Sequence, residues 1–249
     1  RALKFVKFLA FFLKIKIIGV NHGFNLKKFT KKADIIFCIN VDQVKKTRDL
    51  IKNKSTKAVL VPNFTEVREV SCANKINDVI IIGTLSRIDF EYKNLDKVVE
   101  AAKILKNQGF KFKIHIGGDF GEIDKLKKMV SDSDLDQEFV YKGLITDKED
   151  FFSEIDIFCM PSKNETFGIS YIEAMANKVP VIATNNDGAR DIFEDKKTGI
   201  LIEGQNPSKI PELIANSIGF LAKNPEKRQE IAKNAYKVAQ KHYSHEAMR

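Results

Sequence analysis

The chain has 249 residues, and 43% of them are hydrophobic, which suffices for one large α/β domain or for one domain and part of another. No apolar run approaches the roughly 18 residues of a membrane-spanning helix, so none is predicted. The three cysteines (Cys38, Cys72 and Cys159) are scattered and odd in number. They fit neither a metal-ligand spacing nor a disulfide framework, which favours a reducing cytoplasm.

The charge is unevenly distributed. Residues 1–77 carry 17 basic and 5 acidic side chains, a net charge of +12, whereas residues 78–249 carry 25 and 28, a net charge of −3. A basic first third suggests a surface that faces anionic lipid or nucleic acid, although a set of solvated lysines would look the same. No basic motif interleaved with aromatic residues supports nucleic-acid binding. Contact of the basic first third with an anionic membrane therefore stays an open interpretation beside solvated lysines, and no nucleic-acid partner is predicted.

The first third of the sequence predicts a βαβ rhythm. Residues 1–14 form a basic amphipathic pattern, which suits either a helix in a membrane interface or a helix packed on another part of the chain. Three short runs rich in β-branched residues follow, and their length suits buried parallel strands. These strands are expected within residues 14–23, 33–40 and 58–66, with a helix from Asp42 to Lys52 between the last two.

A boundary is predicted at residues 71–78, after which strands and helices alternate again. The amphipathic helix at 95–107 is the clearest, because its apolar residues recur on one face and Gly109 stands just past its end. The alternation predicts an open parallel sheet wound on both faces. Strands are expected in 78–86, 111–118, 138–145, 156–162, 180–185 and 199–203, and helices in 95–107, 122–130, 148–154, 168–177, 207–223 and 225–243.

Ligands in such sheets bind beyond the carboxyl ends of the strands. Arg87 and Lys93 follow one strand and could hold a diphosphate, although such a pair is weak evidence alone. Glu165 lies in a later strand-to-helix loop, and Gly168 opens the helix and would let a ligand approach the backbone closely. The helix start favours a phosphate, and Glu173, about 7.5 Å further along, could accept hydrogen bonds from ribose hydroxyls. The alternative is two surface acids without a shared task.

These residues resemble a known family. Glu165 and Glu173, with Phe167-Gly168 between them, look like the E-x7-E signature of glycosyltransferase family 4 and related retaining GT-B enzymes. Arg87 and Lys93 are similar to the Arg/Lys pair of that family. Further matching segments occur in the family's order at 61–63, 141–143, 161–162, 180–184 and 198–202.

The resemblance implies an α/β protein with the GT-B fold, built from two Rossmann-like, doubly wound parallel-sheet domains. Residues 1–75 would be the remnant of an N-terminal, acceptor-side domain, and 76–236 the C-terminal domain that binds the nucleotide sugar. Residues 237–249 would begin a helix that returns to the first domain. We expect the first domain to be truncated at its N-terminal side, because the chain starts at Arg1 and lacks the early glycine-rich loop of the family. A chain truncated in this way could bind a nucleotide and yet be inactive alone.

The resemblance also implies site residues. Arg87 and Lys93 should neutralise the leaving diphosphate, and Glu165 should contact hydroxyls of the donor sugar near the reacting carbon. His22 occupies the place of the active-site histidine of the amino-terminal domain. These four residues are the expected catalytic set.

The donor-binding set adds five residues to Arg87, Lys93 and Glu165. The backbone N–H groups of Phe167, Gly168 and Ile169, at the helix start, should contact the diphosphate. The carboxylate of Glu173 should bind the ribose, and a backbone group of Ile145, in an earlier loop, should contact the base.

The implied reaction is hexosyl transfer from a UDP- or GDP-linked sugar to a glycan or lipid-linked acceptor, in bacterial polysaccharide or lipopolysaccharide synthesis. No cofactor or metal is obligatory. The acidic run at 132–136 lacks the glycine of a calcium loop, because Gln137 stands in its place, and we interpret it as a solvated loop. The expected location is the cytoplasm, with peripheral attachment to the inner face of the plasma membrane as an open option.

Two segments depart from known patterns. The family usually has two glycines and a glutamate in the loop that we place at 187–191, so the identity of the sugar stays open. The glycine-rich segment at 117–121 lacks full dinucleotide-binding spacing and is interpreted as an ordinary strand-end turn. Alternative functions are another GT-B activity, namely a sugar phosphorylase or a nucleotide-sugar epimerase, and last a basic nucleic-acid-binding protein.

Overall fold

The computed structural model describes residues 16–23, 33–51, 55–68, 78–118 and 121–249, and the helix predicted over residues 1–14 lies outside them. The chain divides into two compact units, Arg1–Asn63 and Phe64–Arg249. No helix within the described ranges combines the length and the apolar content needed to cross a bilayer. The functional division at residues 75 and 236 stays a prediction.

The first unit contains a three-stranded parallel sheet in the order β1-β2-β3. The helix α1 (Val41–Leu50) follows β2 and begins where the Asn40 side chain accepts a hydrogen bond from the Gln43 N–H at 2.7 Å. A small core of Ala33, Ile36, Cys38 and Val44 joins the sheet to this helix. The strands are β1 (Ile18–Asn21), β2 (Ile35–Cys38) and β3 (Lys57–Leu60), and each falls in a predicted run except that β3 begins one residue earlier.

The second unit contains a six-stranded parallel sheet in the order β6-β5-β4-β7-β8-β9. Of its two central strands, β7 is fully buried and β4 is mostly buried, as expected for a parallel sheet covered by helices on both faces. The predicted doubly wound α/β class is therefore confirmed. The strands are β4 (Ile80–Leu85), β5 (Phe112–Gly117), β6 (Phe139–Gly143), β7 (Ile157–Met160), β8 (Val181–Thr184) and β9 (Ile200–Ile202).

The helices of the second unit follow the predicted alternation, with two additions. One is α2 (Phe90–Lys93), a single turn directly before α3 (Leu95–Asn107). The other is α7 (Asp187–Ile192), so the prediction of a loop over 187–191 was wrong. Asn186 caps this helix by accepting the Ala189 N–H at 3.0 Å, and the sequence pattern is too short to display a periodic apolar face. The helices are α2 (Phe90–Lys93), α3 (Leu95–Asn107), α4 (Ile123–Ser131), α5 (Lys148–Glu154), α6 (Ile169–Ala176), α7 (Asp187–Ile192), α8 (Ile210–Lys223) and α9 (Pro225–His242).

Aromatic packing anchors α5 to the sheet. Phe152 is 1% exposed, and its ring meets those of Phe151 and Phe158 edge-on, at centroid distances of 5.5 Å and 5.4 Å. Such pairs add stabilisation beyond the area that they bury. These ring contacts therefore pack α5 against the sheet.

We expect Phe152→Ala to lower the free energy of unfolding by about 3–5 kcal/mol, because it removes a fully buried ring and leaves a cavity. Urea denaturation checks this value. Phe220→Ala is the matched control, since that ring is 41% exposed, and its loss should cost much less. Equal destabilisation by the two changes would contradict the packing role of Phe152.

Candidate active site

The strand order of the second unit reverses between the neighbouring strands β4 and β7. The chain proceeds from β4 outward to β5 and β6, and then returns to the other side of β4 with β7, β8 and β9. In doubly wound sheets, ligands bind at this reversal, beyond the carboxyl ends of the two strands concerned. The segments that follow β4 and β7 are those that carry Arg87 and Lys93, and Glu165, respectively. Topology alone therefore directs attention to the predicted residues.

The Lys93 ammonium and the Glu165 carboxylate are in direct contact, with 2.7 Å between Nζ and Oε2. Both side chains are mostly buried, with 25% and 18% of their surface exposed. Two more hydrogen bonds join the same segments: the Lys163 N–H donates to the Tyr92 carbonyl, and the Asn94 amide donates to the Pro161 carbonyl, each at 2.8 Å. The structure thus brings together two residues that are 72 positions apart in sequence.

Arg87 lies at the more exposed side of this region, with 64% of its side chain exposed. Its guanidinium pairs with Asp89, and the other oxygen of that carboxylate accepts the Tyr92 N–H at 2.9 Å, which caps α2. The Tyr92 N–H first, and then Arg87, hold the pKa of Asp89 below its usual value. One carboxylate therefore orients Arg87 and also the turn that ends in Lys93, a role that the sequence did not reveal.

The glycine-rich segment after β5 supports the Arg87 loop. A Cβ on Gly118 would collide with the Ser86 carbonyl, and one on Gly121 with the Ile88 carbonyl. Both glycines also have positive φ, at 123° and 99°. The close backbone approaches and the positive φ angles therefore explain why both positions are glycine.

A cavity of about 710 Å³ opens beside the Arg87 loop. Arg87 contributes to its lining, whereas Lys93, Glu165 and Glu173 do not.

The start of α6 contains the predicted phosphate contacts. Within the described part of the chain, no backbone hydrogen bond uses the N–H groups of Phe167, Gly168 or Ile169. Gly168 has φ of 93°, and a Cβ there would collide with the ring of Tyr171, which is fully buried. The backbone conformation and the Tyr171 ring therefore require a glycine at position 168 in any case, and its expected approach to a ligand stays a prediction.

A second glycine holds the Glu165 loop in place. The Gly188 N–H at the start of α7 donates to the Glu165 carbonyl at 2.9 Å. A Cβ on Gly188 would lie 2.9 Å from that oxygen, and 2.7 Å and 2.8 Å from the backbone O and N of Phe167. Asn186 adds a hydrogen bond to the Ser162 carbonyl at 3.0 Å. The segment at 187–191, which was predicted to shape the sugar pocket, therefore forms α7, and its first turn is in backbone contact with the Glu165 loop.

Glu173 lies further along α6, and 11% of its side chain is exposed. Its Oε1 accepts a hydrogen bond at 2.6 Å from the Nζ of Lys148, the first residue of α5. Ile145 lies three residues before Lys148, and a Cβ added to Gly117 would approach its side chain to 2.8 Å. Sequence reasoning missed Lys148, because no local pattern distinguishes it from other solvated lysines.

His22 directly follows β1 in the first unit, and its side chain is exposed. The predicted role of this histidine stays a prediction. In the predicted solvated loop, Asp132 pairs with Lys128 at 2.8 Å. Among the described residues, no group of three or more His, Cys, Asp or Glu side chains could hold a metal ion.

Comparison with known proteins supports a single family. The model of the family "Glycosyl transferases group 1" matches residues 68–238. Poly(ribitol-phosphate) alpha-N-acetylglucosaminyltransferase from Staphylococcus aureus (strain COL) is 33% identical over 143 residues, which are 55% of this chain and 29% of that protein. The capsular polysaccharide biosynthesis glycosyltransferase CapM from Staphylococcus aureus is 27% identical over 174 residues, 68% of this chain and 43% of that protein.

A solved structure shares the fold. Anabaena HepE, crystallised in complex with UDP-glucose, aligns with a TM-score of 0.79 at 17% identity over 98% of this chain and 72% of that chain. The present chain spans less than half the length of the two curated relatives. The two parallel-sheet units and this structural likeness confirm the GT-B fold. Since the family model covers more than half of the sequence, the chain belongs to the glycosyl transferases group 1 family.

Proposed function

We propose that the protein is a retaining glycosyltransferase of family 4 that moves a sugar from a nucleotide diphosphate to a glycan or lipid-linked acceptor. The observation that carries the proposal is the 2.7 Å contact between Lys93 and Glu165 at the reversal point of the sheet, in a chain of this family. This contact supports the proposal because a cation can bind a phosphate and a carboxylate can accept hydrogen bonds from sugar hydroxyls.

The phosphate side of the site comprises Arg87, Lys93 and the start of α6. During transfer, the bond between the anomeric carbon and the phosphate oxygen breaks, and the leaving diphosphate takes the electron pair. Fixed cations and helix N–H groups stabilise the charge that develops on it. Because this charge is larger in the transition state than in the bound donor, such groups increase the rate as well as the affinity.

The sugar and nucleoside sides are assigned to carboxylates. Glu165 would accept hydrogen bonds from sugar hydroxyls, and Glu173 from ribose hydroxyls. In a same-face displacement, the acceptor oxygen attacks the anomeric carbon and its proton passes to the leaving phosphate, so the configuration is retained. The assigned set needs no metal, because Arg87 and Lys93 supply the positive charge.

The names of the relatives support a role in surface polymers, since one is a capsular polysaccharide biosynthesis glycosyltransferase. We propose a cytoplasmic protein, and peripheral contact of the basic first third with anionic membrane. The other GT-B activities, phosphorylase and epimerase, have no observation in their favour. Binding of nucleic acid rests only on charge, and salt-dependent DNA or RNA binding without nucleotide binding would be required to support it.

The test is a thermal-shift screen of the chain with UDP, GDP, their sugar conjugates and the matching nucleosides. Ligands that bind the folded state raise its stability, by about 2.7 kcal/mol at 100 times Kd. We expect one nucleotide diphosphate to raise the Tm and its nucleoside to raise it much less, because the nucleoside lacks the phosphates that Arg87 and Lys93 contact. No shift with any nucleotide diphosphate would contradict the proposed function.

A further inference from the structure

The contact between Lys148 and Glu173 has no role in the proposed reaction as described so far. Glu173 is a largely buried carboxylate, and its Oε1 accepts a hydrogen bond from the Lys148 Nζ at 2.6 Å. Half of the Lys148 side chain is exposed. A buried carboxylate requires a hydrogen-bonding partner, and here Lys148 at the start of α5 provides it.

A helix cap and two buried rings hold the backbone near Lys148 in place. Asp147 caps α5 by accepting the Asp150 N–H at 3.0 Å, and Phe151 and Phe152 bury the other face of the helix. A lysine on this first turn therefore approaches Glu173 from a defined direction. Long lysine side chains lose considerable entropy when they are ordered, so an ion pair of this kind contributes little to stability where solvent reaches it.

The pair uses one oxygen of the carboxylate. In the described part of the chain, the hydrogen bonds of the Glu173 side chain involve Oε1 alone. The second oxygen is thus left to accept a hydrogen bond from a ligand, in an orientation that Lys148 sets. Ile145, the expected contact for the base, lies on the same short connection between β6 and α5.

We propose that Lys148 is a positioning residue for the nucleoside: it orients Glu173 so that the free oxygen accepts a ribose hydroxyl. This inference rests on the proposed function. It gives the segment after β6 a part in the nucleoside side of the donor site, because that segment supplies Ile145 and Lys148, and Lys148 orients Glu173 of α6. The phosphate side is formed separately by the segments after β4 and β7.

The experiment measures the Kd of UDP or GDP, whichever binds, and of its 2′,3′-dideoxy analogue by calorimetry. In the wild-type chain, loss of the hydroxyls should weaken binding. Lys148→Met should weaken binding of the ribonucleotide by about 3- to 10-fold, which corresponds to one hydrogen bond, and should leave the dideoxy analogue unaffected. Lys148→Arg should restore most of the difference, because its guanidinium can donate to the same oxygen.

Controls separate this role from a general loss of structure. Lys128→Met removes a lysine that is 75% exposed on α4 and should change neither Kd. Equal weakening of both ligands by Lys148→Met, or no weakening of either, would overturn the proposal and leave the proposed function intact. Failure of the wild-type chain to bind either nucleotide would overturn the proposed function and this inference together.

Discussion

Lys93→Met is expected to slow sugar transfer by about 10²–10³-fold, the typical cost of removing one donor to a developing negative charge. The ammonium is mostly buried and in contact with Glu165, so it is held in position before the donor binds. Its removal affects two groups at once, because the diphosphate loses a cation and the Glu165 carboxylate loses its partner. A carboxylate left without a partner in a mostly buried position is costly.

The measurement is the rate of nucleotide release from the nucleotide sugar that binds, in a form of the protein that transfers sugar, with Lys128→Met as the matched control on the same unit. Nucleoside binding should be unchanged in the variant, since the nucleoside has no phosphate. A variant that retains the wild-type rate would remove Lys93 from the charge-stabilising role. Equal weakening of nucleoside and nucleotide would point to a disturbed fold.

Gly188→Ala is expected to reduce activity by more than about 10-fold, although position 188 carries no functional group. The added Cβ would lie within 3.0 Å of three backbone atoms, at Glu165 and Phe167. Backbone cannot rotate away as a side chain can, so the Glu165 loop must shift, and misplacement of about 1 Å at a reacting group is enough for a loss of order 10²-fold. Overpacking of this kind should also cost about 1–3 kcal/mol of stability.

The matched control is Gly204→Ala, because a Cβ there would lie 3.5 Å from the nearest atom, Thr184 Cβ, at ordinary contact distance. Activity and Tm of the control should stay near the wild-type values. A Gly188→Ala variant with full activity would show that the loop can yield without moving Glu165. A loss shared by both glycine variants would argue against a specific support for that loop.

The local sequence determined most of the regular structure. Apolar runs with β-branched residues predicted every strand, and the repeat of apolar positions predicted Leu95–Asn107 with the bounds that the structure shows. The short helices α2 and α7 were missed, because four to six residues are too few to display a periodic face. Their caps, Asp89 and Asn186, lie at helix starts, but such residues are equally common in turns.

Through its resemblance to a family, the sequence also predicted a set of site residues, among them Glu165, Glu173 and the pair Arg87 and Lys93, and their roles stay predictions. Only the tertiary structure decided which of them are in contact, since Lys93 and Glu165 are 72 positions apart. The supports of these side chains, Asp89, Lys148 and Gly188, are likewise products of tertiary contact. Their roles depend on distances between segments that follow different strands, and local patterns report only on neighbours along the chain.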